Sequence, residues 1–118
     1  MKEVQHIGGS ERFSAVTIFN NVAYLAGQVS QQKEGDICEQ SKDVFAKIDC
    51  LLKEIGASKD HILNAQIWLK TIADYDEMNK EWDTWVKGHK PPSRVCVEAL
   101  MAQEHYLIEV MIVVAIIS

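Results

Sequence analysis

The sequence has no run of lysine or arginine. Its 12 basic residues are outnumbered by 17 acidic ones, for a formal net charge of −5. Phosphate recognition needs a basic surface, so this balance argues against nucleic acid or an anionic membrane as the partner. A glycine-rich phosphate loop is also missing. His6, His61, His89 and His105 show no HxH or HExxH spacing. Cys38, Cys50 and Cys96 are odd in number and form no CxxC pair. These absences argue against a metal site, and the cysteines read as free thiols in a reducing cytoplasm. Residues 1–6 contain no apolar core of the kind a signal peptide needs. The most apolar stretch, residues 107–117, is too short to cross a membrane and is interrupted by Glu109, so it reads as a buried strand. Internal repeats, low-complexity segments and linkers are lacking too. The 118 residues therefore read as one cytoplasmic domain over 1–118.

What is present is an ordinary globular balance, 47% apolar and 25% charged. Strand patterns span 14–19 and 22–28, separated by Asn20-Asn21, a pair that tolerates positive φ and suits a tight hairpin turn. Residues 31–35 are polar and read as a loop. A helix follows, with Asp36 and Glu39 at capping-box spacing. Its apolar stripe is Ile37, Val44, Phe45, Ile48, Leu51, Leu52 and Ile55, and Gly56 marks its stop. Residues 62–70 alternate, with Leu63, Ala65, Ile67 and Leu69 on one face and Asn64, Gln66 and Trp68 on the other.

A second helix takes Thr71 or Asp74 as its cap. Tyr75, Met78, Trp82, Trp85 and Val86 are its buried stripe, and Gly88 with Pro91-Pro92 ends it. The three tryptophans sit at core-like spacing, which favours core over a base-stacking platform. Two strands close the chain, 93–99 and 106–117. In the first, Val95 and Val97 read as core residues opposite Arg94, Cys96 and Glu98. The second is apolar on both faces: Ile108, Val110, Ile112, Val114 and Ile116 on one, Leu107, Met111, Val113 and Ala115 on the other, with Glu109 among them.

That last strand carries the most physical information. Two helices cover only one face of a sheet. Leaving the other face wet forgoes roughly 1.5–3 kcal/mol for each large apolar side chain. With no third helix in the chain, a partner subunit is the expected cover.

The chemistry-bearing candidates are few. Arg94 heads a strand just after the proline pair. A guanidinium there binds a carboxylate through two parallel hydrogen bonds, or serves as an ordinary ion-paired surface arginine. Glu109 sits in an almost wholly apolar strand. It must find a partner such as Arg94, face a cavity, or shift its pKa, and a carboxylate so placed orients or deprotonates a water. Cys96 reads as a buried thiol rather than a nucleophile.

Pro92-Ser93-Arg94-Val95-Cys96-Val97-Glu98, followed by Tyr106-Leu107-Ile108-Glu109-Val110, resembles the C-terminal signature of the Rid (YjgF-like) family, also labelled endoribonuclease L-PSP. Ala26-Gly27-Gln28 resembles that family's serine-glycine-glutamine, and Asp74-Tyr75 through Met78-Asn79 and Trp82 is similar to its second helix. Arg12-Phe13-Ser14 and the Trp82–Trp85 helix are closest to a branch of short bacterial members. The resemblance covers roughly residues 10–116 and implies an α+β, chorismate-mutase-like fold, a mixed sheet with two helices on one face. It also implies a homotrimer with sites between subunits. The implied activity is hydrolysis of enamines and imines such as 2-aminoacrylate and 2-iminobutanoate to 2-keto acids and ammonia, with no cofactor or metal. By the same resemblance Arg94 holds the substrate carboxylate, Glu109 positions the water, the backbone of Cys96 holds the imine end, and Gly27 and Asn79 shape the pocket. Phe13 and Ala26 stand where tyrosine and serine are usual, so two hydroxyls are missing from the binding set. Their loss keeps open a non-catalytic trimer that binds small carboxylates. The family's endoribonuclease or translation-inhibitor label is a further alternative, which the acidic balance opposes.

Overall fold

The computed structural model describes residues 3–117. The expectation for residues 1–6 rests partly on Met1 and Lys2, which lie outside the described residues.

The Asn20-Asn21 turn forms as its residue types require. Both asparagines take positive φ, 54° and 62°, and join β2 (Val16–Phe19) to β3 (Val22–Leu25). A short strand that the sequence pattern did not show, β1 (Gln5–Ile7), pairs antiparallel with β2. The strand expected over 22–28 is interrupted. After Leu25 the chain resumes as β4 (Gln28–Val29), and both pieces pair with β7 (Ile108–Ala115). Tyr24 pairs with Val113 and Gln28 with Val110, so Leu25, Ala26 and Gly27 stand opposite only Ile112 and Met111. The extra residue is a bulge, which re-aims the backbone at Ala26-Gly27.

Helix α1 (Ile37–Glu54) begins with the expected capping box. The Asp36 side chain accepts from the Glu39 N–H at 2.9 Å, and the Asp36 N–H donates back to Glu39 at 3.2 Å. Gly56, at φ +70°, turns the chain out of the helix. After a 3₁₀ turn (Lys59–His61) comes β5 (Ile62–Leu69). A second 3₁₀ turn (Ile72–Asp74) leads into α2 (Tyr75–Val86), then β6 (Ser93–Glu98) and β7. Thr71 caps the second 3₁₀ turn through the Ala73 N–H. Asp74 occupies the cap position of α2 without a side-chain bond.

The sheet runs β1-β2-β3-β7-β5-β6, with β4 alongside β7. Among the described residues only β5 and β6 pair in parallel, so the sheet is mixed. Both helices pack on one face. The architecture is α+β, two helices on a mixed sheet, as expected. Val44, Ile48 and Leu52 of α1 and Met78, Trp82 and Trp85 of α2 pack with Ala65, Ile67, Leu69, Ile108, Val110, Ile112 and Val114 in one buried core. Phe45 stacks on Trp85 with ring centroids 4.8 Å apart. Buried Gln40 satisfies its amide completely. It donates to the carbonyls of Gln32 and His105 and accepts from the Leu107 N–H, which fastens two loops to α1.

Several expectations about faces need correction. Leu63 does not join Ala65. The β5–β7 register shifts between Ile62 and Asn64, so Ile62 turns inward and Leu63 outward. Val95 and Val97 are not core residues. They are 49% and 44% exposed, and it is Arg94 and Cys96 that share the helix-side face with Ala65 and Ile67. Tyr75 is 38% exposed rather than buried, and Trp68 lies part-exposed on the face away from the helices. The last two strands are each shorter than their apolar patterns. The two faces of β7 divide as read: Ile108, Val110, Ile112 and Val114 are fully buried under the helices, while Glu109, Met111, Val113 and Ala115 are only part-covered.

Candidate functional site

Two groups of side chains gather on opposite faces of the sheet. The first centres on Arg94, at the start of the edge strand β6. Parallel pairing places Arg94 beside Ala65, whose side chain is buried under the helices, so Arg94 points toward α2. Tyr75, Asn79 and Trp82 lie at i, i+4 and i+7 on that helix and form one stripe facing it. The guanidinium donates to Asn79 Oδ1 at 2.7 Å and to Tyr75 Oη at 3.2 Å. A guanidinium has only donors, so Asn79 must present its oxygen. The Arg94 Cζ stands 5.0 Å from the Trp82 ring centroid and 5.7 Å from that of Tyr75, within cation–π range.

Arg94 forms no ion pair among the described residues. Neutral oxygens and aromatic faces hold it in place without cancelling its charge. Cys96, two residues along the same face, lines a hollow of about 510 Å³ with Ile72, Ala73, Tyr75 and Asp76. Burial pushes the Cys96 thiol up, against a smaller opposing pull from Arg94. The thiol therefore stays protonated near neutrality, which makes it a poor nucleophile.

The second group centres on Glu109 of β7, on the sheet face away from the helices. Register places it beside Trp68 and Val29. It lines a hollow of about 220 Å³ with Trp68, Ala99, Leu100, Met101 and Ala102. Burial among these largely apolar neighbours raises its carboxyl above the usual carboxylate range. Gly27 backs directly onto the carboxylate. A Cβ at position 27 would meet Glu109 Oε2, so any larger residue here must push the carboxylate aside. Ala26, next to it, is half-buried, with its N–H bonded to the Ala15 carbonyl at 2.8 Å. Glu109 has neither an ion pair nor a side-chain hydrogen bond among the described residues.

The structure thus joins Arg94, Asn79 and Cys96, and separately Glu109, Gly27 and Ala26. The pairing of Arg94 with Glu109 within one chain does not occur, because they lie on opposite faces. Phe13 sits exposed in the loop between β1 and β2, its carbonyl accepting from the Ser10 N–H. Tyr75 is the site residue that sequence reasoning missed. Its place in the stripe with Asn79 and Trp82 was visible, but a helical stripe reads first as core. No cluster of three His, Cys, Asp or Glu side chains that could hold a metal occurs among the described residues. Nor is any described helix long and apolar enough to cross a membrane.

The family model described as endoribonuclease L-PSP matches residues 4–116. The chain belongs to this family. A RutC family protein of Haemophilus influenzae is 46% identical over 111 residues, covering 93% of this chain and 96% of the relative. The RutC family protein YoaB of Escherichia coli is 36% identical over 113 residues, covering 96% of this chain and 98% of the relative. A solved member of the YjgF protein family from Neisseria meningitidis superposes with a TM-score of 0.93 at 35% identity, covering 98% and 97% of the two chains. These similarities place the chain among RutC and YjgF proteins, in agreement with the resemblance its motifs carry.

Proposed function

We propose that the chain is one subunit of a homotrimer that hydrolyses reactive enamines and imines, such as 2-aminoacrylate and 2-iminobutanoate, to 2-keto acids and ammonia. The supporting observation is the separation of Arg94 and Glu109 onto opposite faces of one sheet, each without a counter-charge among the described residues. An unneutralised guanidinium suits a substrate carboxylate. A carboxylate whose pKa is raised by burial is a stronger base than an ordinary one and suits proton transfer. One chain cannot bring the two together. A second copy covering the open face would bring one subunit's Glu109 within reach of another's β6 edge, and would also cover Met111 and Val113.

In this reading Arg94 grips the carboxylate, and the backbone at Cys96 holds the imine end. The enamine first tautomerises to the imine. Water adds to the imine carbon, and Glu109 takes one proton from that water and returns it to the nitrogen. The remaining hydroxyl proton then moves to nitrogen, the C–N bond breaks, ammonia leaves, and the oxygen stays as the keto group. Every step balances with water as the only co-reactant.

The runner-up is a trimer that binds small carboxylates without catalysis. Its support is Phe13 and Ala26, which lack the hydroxyls usual in the family. The test is to generate 2-iminobutanoate enzymatically in the presence of semicarbazide. The deaminase reading expects the protein to suppress semicarbazone formation. A folded trimer that binds 2-oxobutanoate yet leaves semicarbazone formation unchanged overturns the enzyme reading in favour of the binder.

A further inference from the structure

We propose that Tyr75 is a substrate-binding residue, its phenol O–H donating to the same carboxylate that Arg94 grips. The reading above supplies the identity of that carboxylate. The clamp itself comes from the geometry around the guanidinium.

Arg94 Nη2 donates to Tyr75 Oη at 3.2 Å, so the tyrosine oxygen acts as acceptor. Its own proton is left over and is given to no described group. Tyr75 and Cys96 line the same hollow, which places it beside both the tyrosine and the strand that carries Arg94. The guanidinium has five N–H donors, and Asn79 and Tyr75 take one each. Three remain, enough for a bidentate grip on a carboxylate, and the phenol adds a donor beside them.

The two donors are also held in register. Tyr75 opens α2 directly after the 3₁₀ turn (Ile72–Asp74). The Ile72 N–H of that turn donates to Glu98 Oε1 at 2.9 Å, and Glu98 closes β6, the strand that carries Arg94. Strand and helix start are thereby tied together, and the Tyr75 ring rests against the guanidinium. Asp76 is the negative group on the rim of this hollow. It is exposed, where solvent and salt screen its effect on a bound anion.

This placement bears on the two absent hydroxyls. Positions 13 and 26 carry phenylalanine and alanine, so neither offers an O–H to a ligand. Tyr75 supplies a hydroxyl on the Arg94 side instead. The ligand class is a small 2-keto or 2-imino acid, with its carboxylate accepting from the guanidinium and the phenol side by side.

The experiment compares wild type with Tyr75→Phe, which keeps the ring against Arg94 and removes only the hydroxyl. Binding of 2-oxobutanoate is measured by titration calorimetry, deamination by the semicarbazone assay, and folding by thermal melting. Loss of one hydrogen bond to a charged group should weaken 2-oxobutanoate binding about tenfold. KM should rise to match, with kcat within about twofold, the signature of a lost binding contact. The melting temperature should not move, because Tyr75 is 38% exposed. In wild-type crystals grown with 2-oxobutanoate, Tyr75 Oη should lie within about 3 Å of a carboxylate oxygen. A Tyr75→Phe protein that binds 2-oxobutanoate as well as wild type overturns the clamp, as does a wild type that binds none or a co-crystal with the hydroxyl turned away. The two readings fail separately. A wild type that binds 2-oxobutanoate but suppresses no semicarbazone overturns only the deaminase, while an active protein indifferent to Tyr75→Phe overturns only the clamp.

Discussion

The two faces of β7 are built from the same kinds of residue and end in different surroundings. Ile108, Val110, Ile112 and Val114 are sealed beneath the helices, whereas Glu109, Met111, Val113 and Ala115 on the alternate positions remain part-open. The covered face completes its core within one chain. The open face has apolar side chains and a carboxylate of raised pKa, and neither helix packs on it. The difference shows that hydrophobicity alone did not decide burial here. The supply of covering elements did, and two helices are enough for one face only.

The same division sorts the candidate site. Arg94 is held on the helix side by Asn79, Tyr75 and Trp82. Glu109 lies on the open side, closely approached by Gly27. In the proposed reading each face carries half of a reaction centre, and substitutions in each half test whether the halves work together.

The largest effect is expected at Arg94. Arg94→Ala should abolish measurable semicarbazone suppression, and Arg94→Lys should retain little, because an ammonium cannot reproduce the bidentate fork. Sizing should show the assembly unchanged. A variant with wild-type activity breaks the assignment of the helix-side half. Next is Met111→Lys on the open face. If that face meets a partner, the change buries an unpaired charge at a cost of several kcal/mol, and light scattering should show smaller species. An unchanged assembly breaks the argument that the open face needs cover.

Glu109→Gln keeps shape and removes charge. Turnover should fall by about 10²-fold or more, as is usual for a general acid–base group. The wild-type pH profile sharpens the point. Burial raises the Glu109 pKa, so the protonated form persists to higher pH than for an ordinary carboxylate. Activity that needs the ionised form should therefore fall, on acidification, at a pH above the usual carboxylate range, and Glu109→Gln should lack that acid limb. Gly27→Ala should be milder. Its new methyl displaces the carboxylate, and a side-chain end yields easily, so turnover should drop about tenfold while melting stays near wild type. The smallest effect is expected at Cys96→Ala, which should keep activity within about twofold, since the raised thiol pKa disfavours a thiolate nucleophile. Abolished activity in a well-folded Cys96→Ala protein would reverse that conclusion.

Much of this protein was determined by local chemistry that a sequence displays. Asp36 and Glu39 are a capping box wherever a helix follows, and Asn20-Asn21 favours a turn of positive φ. The alternation in β7 set its two residue sets apart before any fold was known, and a carboxylate in the middle of it marked Glu109. The motif around Arg94 likewise carried the family. Tertiary structure alone decided which set faced inward. Period two divides a strand into faces but does not say which face a helix will cover, so Val95 and Val97 passed for core until pairing with β5 set Arg94 and Cys96 on the helix side. A one-residue register shift, invisible in the pattern, turned Leu63 out, and a bulge set Gly27 on Glu109. Tyr75 shared a helical stripe with Trp82, and only the position of α2 beside the sheet edge put its hydroxyl on Arg94. Spacing along the chain records what neighbours share a face. Which faces meet depends on elements distant in sequence, and their contacts leave no local period to read.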